Sequence, residues 1–219
     1  ASSHRWRNLG RSLVHCAPLP PPPSQSRELN NDLIASPHDR ELVTQLLGRE
    51  PNGAFAVVVR ETDGTPSVIK NAPFLADGTP MPTLYWLCSP ETLIAVSRLE
   101  AAGGVNQAEA DVDPTELENA HRLYQAERDA YIPLDHVGPR PSGGVAGTRI
   151  GVKCLHAHYA WHLAGGDDPV LDGGVGQRFH RSAIAHALAA GLVVAPQRGD
   201  AHAVEHVQKR LLRADGLLV

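Results

Sequence analysis

Two short runs rich in β-branched residues, joined by a tight turn, constrain the fold of this chain most strongly. The first, AFAVVVRE, spans residues 54–61, and the second, SVIKNAP, spans residues 67–73. Between them, TDGTP supplies the aspartate, glycine and proline that β-turns favour. This arrangement predicts two neighbouring antiparallel strands joined as a hairpin. A third apolar run, LYWLC at 84–88, predicts another strand of the same small sheet.

Helix-start signals surround the predicted strands. A serine or aspartate followed by proline and a nearby acidic residue is typical of a capped first turn. Such signals, or apolar residues at helical spacing, predict helices after Ser36, Ser89 and Asp113 and over residues 177–191 and 202–214. The helix that begins after Ser89 should stop at Gly103 and Gly104. The chain is therefore expected to be an α+β protein with a small three-stranded sheet packed by about five helices.

The two ends of the chain are expected to lie outside the main domain. Residues 1–35 contain several arginines, no acidic residue before Glu28 and four consecutive prolines at 20–23, which predict a disordered or non-native segment. A transit peptide is the alternative for such an arginine- and serine-rich start. We predict a core domain over residues 36–176 and a C-terminal helical extension over 177–219.

Composition excludes several broad classes of function. The net charge of −4 gives no electrostatic footprint for nucleic acid. No apolar run approaches the roughly 20 residues that a membrane helix needs. Three widely separated cysteines do not form a disulfide framework, so a reducing cytoplasm is the expected location.

A cluster of potential metal ligands lies in the segment VKCLHAHYAWHLAGGDDPV. In helical geometry, Cys154, His158 and His162 recur every four residues and share one face. In extended geometry, Cys154 and His156 share a face instead. Both geometries predict two or three convergent side chains of the kind that zinc prefers.

A zinc site at Cys154, His156 and His162 would need further ligands from the sheet. Cys88 and Glu61 are the candidates. Two alternatives stay open. The cysteine and the histidines could pack in the core as a small apolar group and hydrogen-bonded rings. Otherwise, the segment could be catalytic without a metal: Cys154 could act as a nucleophile activated by a histidine and Lys153, or the histidines could serve Asp167 and Asp168 in acid–base catalysis.

A glycine-rich segment, SGGVAGTRIGVK, precedes the cysteine and histidines. Backbone amides in such a loop can cradle a phosphate, and Arg149, Lys153 and His158 are the candidate ligands of an anion. The segment lacks the residue order of a P-loop, so a flexible connector is the alternative.

Three other motifs have simpler interpretations. HAVEH, at 202–206, fits an inverted zinc-protease motif, but Lys209 and Arg213 on the same helical face favour a solvated surface. Adjacent aspartates, Asp167 and Asp168, are typical of a turn in solvent. DGTPMPTLYWL carries a tyrosine and a tryptophan, for which core packing is favoured over a partner surface.

Five ordered blocks carry a family resemblance: LGREPNG, GTPMPTLYWL, SRLEAAGGV, ERDA and VKCLHAHYAWHLAGGDDPV. Together they resemble the actinobacterial family of domain of unknown function 501, over roughly residues 38–172. The resemblance implies a cytoplasmic bacterial protein, and the KCLH block and His162 match the pattern of that family.

Two classes of function follow from these observations. The first is a small binding or adaptor protein with a protein partner, stabilised by zinc at the Cys154 and histidine cluster. The second is a hydrolase-like enzyme that acts on a phosphorylated or otherwise anionic small molecule and uses the same cluster. Neither nucleic acid nor a membrane is an expected partner.

Overall fold

The α+β class is confirmed by a computed structural model, which describes residues 33–172 and 193–194. Within these residues the helices are α1 (Pro37–Leu47), α2 (Pro90–Ala101), α3 (Gly104–Asp111), α4 (Pro114–Asp129), α5 (Leu155–Leu163) and α6 (Pro169–Asp172). The strands are β1 (Gly53–Arg60), β2 (Pro66–Leu75), β3 (Tyr85–Leu87) and β4 (Val193–Val194). The predicted helices at 177–191 and 202–214, the HAVEH motif and residues 1–32 lie outside the described residues.

The predicted hairpin forms the centre of the sheet. β1 and β2 are antiparallel, with Phe55 opposite Asn71 and Val57 opposite Ile69. β3 pairs with the outer edge of β2, so the three predicted strands are confirmed as one antiparallel sheet. The two-residue β4 adds a fourth strand along β1, and the strand order is β3-β2-β1-β4.

Both faces of the sheet are covered by helices. On one face, Val43 of α1 packs with Phe55 and Ile69. On the other, Val68 packs with residues of α2 to α6 in the larger core. Because neighbouring side chains of a strand point to opposite faces, the consecutive Val68 and Ile69 contribute to different cores. This explains why consecutive residues of β2, rather than alternate ones, are buried.

The helix starts agree with the capping signals in the sequence. The side chains of Ser36 and Asp113 accept backbone N–H groups of the first turns of α1 and α4. Ser89 precedes α2 without a side-chain cap bond. α2 ends just before Gly103, whose positive φ of 87° suits glycine, and the short helix α3, which was not predicted, follows directly.

Helix α5 is the buried centre of the larger core. Eight of its nine residues, all except His156, are buried, and they include the large side chains of Leu155, Tyr159 and Trp161. A helix that is apolar around most of its circumference must be enclosed by other elements. The strand β3 packs against it, with Tyr85 and Leu87 buried, so the core interpretation of LYWL agrees with the structure. No described helix has both the length and the apolar character needed to cross a membrane.

Candidate functional site

Cys154 and His156 come together with Glu100 at the start of α5. The Cys154 Sγ atom lies 3.8 Å from Nδ1 of His156, and this nitrogen lies 3.1 Å from the Glu100 carboxylate. The three ligand atoms all lie within 4.8 Å of one another, and all three side chains are partly exposed. The structure therefore forms a three-residue cluster that metal ions of the zinc class could use.

The local geometry at Cys154 combines the two predicted alternatives. Cys154 has an extended backbone, with φ −155° and ψ 116°, and α5 begins at the next residue. The cysteine is therefore the N-terminal flanking residue of the helix, and His156 lies in its first turn. This position turns both side chains toward α2, rather than stacking them along one face of α5.

Glu100 was not predicted from the sequence. It lies near the end of α2, and its carboxylate accepts the N–H of Leu155 at 2.6 Å. The first amides of a helix have no partner within that helix, so the carboxylate caps α5 from another element. The only sequence signal is the position of Glu100 within the family block SRLEAAGGV.

His156 is held from both sides of its ring. Its Nε2 atom lies 3.1 Å from the Ser97 hydroxyl and 3.4 Å from the carbonyl oxygen of Leu93, both in α2. Burial lowers the pKa of His156, but the hydrogen bond with Cys154 and the charge of Glu100 outweigh this effect and raise the pKa above its ordinary value. The ring orientation is therefore determined by α2.

The other three predicted metal ligands do not join a candidate ligand group among the described residues. His162 lies two turns after Cys154 in α5 and is buried. Cys88 is fully buried in the small core with Val43 and Phe55, and burial raises its pKa to about 12. Glu61 follows β1 at the hairpin turn, where its N–H bonds to Thr65. Core packing and turn geometry separate these three side chains from Cys154.

His158 lies in the core rather than at an anion site. Its Nδ1 atom is 2.8 Å from the Asp168 carboxylate, and both side chains are fully buried. The second Asp168 oxygen accepts the N–H of Val170 at the start of α6. The prediction that Asp168 lies in a solvated turn is therefore wrong, since it links α5 to α6 in the core. Among the described residues, Nε2 of His158 has no hydrogen-bond partner.

The glycine-rich segment forms an ordered loop against α4. His121 of α4 contacts it at two points, because Nδ1 accepts the N–H of Val145 at 3.2 Å and Nε2 lies 3.1 Å from the Gly151 carbonyl oxygen. Arg149 lines a groove between the loop and α4. Lys153 instead donates to the carbonyl oxygen of Ala146 at 3.4 Å. Of the three predicted anion ligands, only Arg149 lines this groove.

We expect His121 to gain its proton at a lower pH in the folded chain than an ordinary histidine does. Burial lowers its pKa, and the bond to Gly151 compensates only in part. The unfolded chain binds a proton at this histidine near pH 6.5. Stability should therefore be unaffected above that pH and should fall as the pH decreases below it.

Two measurements check this expectation for His121. Nitrogen-15 NMR should show the Nε2–H tautomer at pH 6, because Nδ1 accepts from Val145. Urea unfolding at pH 5.5 and 7.5 should show a smaller difference in His121→Gln than in the unmodified chain. A measured pKa of His121 above the ordinary value of a histidine would contradict this expectation.

Comparison with known proteins places the chain in a family. No curated protein and no solved structure matches it. A family model described as protein of unknown function (DUF501) matches residues 57–174, more than half of the chain. The match begins in β1, ends just after α6 and includes Glu100, Cys154 and His156. The chain therefore belongs to the DUF501 family.

Proposed function

We propose that this protein is a small binding protein that holds a zinc-class divalent ion at Glu100, Cys154 and His156. The observation that carries the proposal is the convergence of a carboxylate, a thiol and an imidazole nitrogen within 4.8 Å. Ligand atoms around a tetrahedral zinc lie roughly 3.3 to 3.7 Å apart, given zinc–ligand bonds of about 2.0 to 2.3 Å. The separations of 3.1 and 3.8 Å between His156 and its two neighbours are close to this range.

The second nitrogen of His156 supports a metal role. A histidine that binds a metal through one nitrogen usually donates its other N–H to an oxygen, which fixes the ring. Here Nδ1 lies in the cluster, while Nε2 contacts the Leu93 carbonyl and the Ser97 hydroxyl. The two charges of a zinc ion would be balanced by the Cys154 thiolate and the Glu100 carboxylate.

The same geometry disfavours a catalytic triad at Cys154. In a nucleophile–histidine–acid triad, the base uses one ring nitrogen for the nucleophile and the other for the acid. In this cluster, the Cys154 thiol and the Glu100 carboxylate both approach Nδ1 of His156. If Nδ1 took a proton from the Cys154 thiol, that same N–H would also have to serve the Glu100 carboxylate. A metal ion, in contrast, accepts all three side chains around one point.

The proposed metal would tie two helices together. Glu100 belongs to α2, and the other two ligands lie at the start of α5. All three side chains are partly exposed, so a water molecule can complete a four-coordinate shell. We further propose a cytoplasmic location, supported by the cysteine content, since a thiol ligand requires a reducing environment.

Cobalt substitution tests the proposed site. The full chain, freed of metal by a chelator, should show a thiolate-to-cobalt absorption band when Co²⁺ is added, and Zn²⁺ should displace it. Cys154→Ala should abolish the band. Glu100→Gln should weaken metal binding by more than the roughly 10–100-fold that loss of an outer-shell partner costs. Ser97→Ala removes such an outer contact, so it should weaken metal binding by a factor within that range.

Matched controls separate the site from the general cysteine and histidine content. Cys88→Ala and His162→Ala should retain the band, because neither residue belongs to the cluster. Circular dichroism should first show that each variant is folded. A band that survives Cys154→Ala, or one that disappears in Cys88→Ala, would disprove the proposed ligand set.

A further inference from the structure

A groove separate from the metal cluster runs between α4 and the glycine-rich loop. Its volume is about 720 Å³, which lies within the range typical of small-molecule sites. One wall is the outer face of α4, and the other is the loop around residues 142–149. The polar side chains that line it include Arg122, Asn119 and Gln125 from the helix and Ser142, Thr148 and Arg149 from the loop.

The loop wall is fixed from behind by the buried side chain of Arg128. Its guanidinium donates to the carbonyl oxygens of Gly143 at 2.7 Å and Pro141 at 3.2 Å. His121 holds the other end of the loop through Val145 and Gly151. The wall therefore has its shape before any ligand arrives, which reduces the cost of ordering it on binding.

Glycine is required where the two walls meet. A Cβ atom on Gly144 would lie 2.4 Å from Cβ of His121, which is far too close for two carbon atoms. Only glycine lets the loop backbone approach α4 at this point. The loop thus reaches the helix at its glycines and carries Ser142, Thr148 and Arg149 into the groove lining.

The charge balance of the groove lining is positive. Arg122 and Arg149 contribute two guanidiniums, and Arg122 is held by a 2.5 Å hydrogen bond to Asn119. Of the two lining carboxylates, that of Asp129 lies 2.7 Å from the buried Arg128 and is neutralised by it. Glu118 is the other carboxylate, so two arginines face a single remaining acid.

We propose that this groove binds the phosphate group of a small phosphorylated molecule. Guanidinium groups match phosphate oxygens in geometry and form strong charge-assisted hydrogen bonds. One arginine from each wall can contact different oxygens of one phosphate, while hydroxyls and amides remain for the rest of the molecule. The site differs from the predicted Arg149, Lys153 and His158 set, because Arg122 replaces the other two. The proposed phosphate site does not depend on the proposed metal site.

Titration with inorganic phosphate, followed by proton–nitrogen NMR of the full chain without added metal, tests the proposal. Phosphate should shift the signals of Ser142, Gly143 and the two arginine side chains. Arg122→Gln and Arg149→Gln should each raise the dissociation constant about 10-fold, as loss of a charge-assisted hydrogen bond does. Glu118→Gln should lower the constant about 2-fold, because it removes the opposing charge.

Three comparisons make the outcome decisive. Arg140→Gln removes an equal charge from the same loop outside the groove lining and should leave phosphate binding within about 2-fold. Acetate should bind more weakly than phosphate, since one carboxylate has fewer oxygens to share between two arginines. Cys154→Ala should bind phosphate normally, which separates this site from the metal cluster. Equal effects of Arg140→Gln and Arg149→Gln, or shifts centred elsewhere, would overturn the proposal.

Discussion

Arg128→Met is expected to destabilise the protein by about 3–5 kcal/mol, the largest effect of any single substitution considered. The Arg128 side chain is completely buried. It donates to the backbone carbonyls of Pro82, Pro141 and Gly143 and pairs with Asp129. Methionine fills a similar volume but leaves these carbonyls without a donor, and each unpaired buried polar group costs about 1–3 kcal/mol. Urea unfolding at neutral pH measures the loss.

Two companion variants show whether the loss comes from the hydrogen bonds of Arg128. Arg128→Lys keeps the charge but cannot span three carbonyls, so it should recover only part of the stability. Arg98→Met removes an exposed arginine from α2 and should change stability by less than about 0.5 kcal/mol. If Arg128→Met and Arg98→Met cost the same, the assigned role of Arg128 is wrong.

Glu127→Ala is expected to lower the free energy of unfolding by about 3 kcal/mol. This value lies toward the lower end of the range for breaking a buried ion pair, because Glu127 itself is partly exposed. The Glu127 carboxylate lies 2.8 Å from the buried ammonium of Lys70. It also accepts hydrogen bonds from the Tyr85 hydroxyl and, at 3.2 Å, from the Trp161 indole. Alanine would leave these three buried donors without the carboxylate that accepts from them. Chemical unfolding again measures the effect.

The matched control for Glu127 is Glu118→Ala, an exposed glutamate in the same helix, which should cost less than about 0.5 kcal/mol. A double-mutant cycle isolates the ion pair. Lys70→Met should cost less in the Glu127→Ala background than in the unmodified chain, since the lysine has then already lost its partner. Strictly additive losses would contradict direct coupling between the two charges.

The pH dependence of Lys70 has a definite sign. Burial lowers its pKa, but the charges and hydrogen bonds of Glu127 and Tyr131 together outweigh this effect and raise the pKa above the ordinary value of 10.5. The stability that Lys70 contributes should be complete below that value and should be lost as the pH rises through the higher value of the folded state. Glu127→Ala should reduce this alkaline loss.

Local sequence patterns predicted the parts of the fold that depend on short-range chemistry. The hairpin follows from two β-branched runs around an aspartate–glycine turn, and the starts of α1 and α4 follow from Ser36 and Asp113 as capping residues. The end of α2 before Gly103 follows from the conformational freedom of glycine. Each of these signals acts within a few residues of the structure it determines.

The sequence predicted two of the three residues of the candidate metal cluster. Cys154 and His156 are near neighbours, so their proximity follows from the sequence in extended geometry. Glu100 lies more than 50 residues away and joins them only because α2 packs against the start of α5. Cys88 has the right chemistry for a ligand, but its strand end turns it into the small core instead.

The sequence by itself determined the fold class, the hairpin, the main helix boundaries and the family, because all of these depend on residue types at short spacings. Only the tertiary structure decided that Glu100 completes the cluster with Cys154, that Arg128 holds the glycine-rich loop and that Arg122 and Arg149 line the same groove. The physical reason is that a carboxylate or guanidinium can serve as ligand, cap, clamp or solvated surface group. Which of these roles it has depends on distant segments that helix packing brings to it.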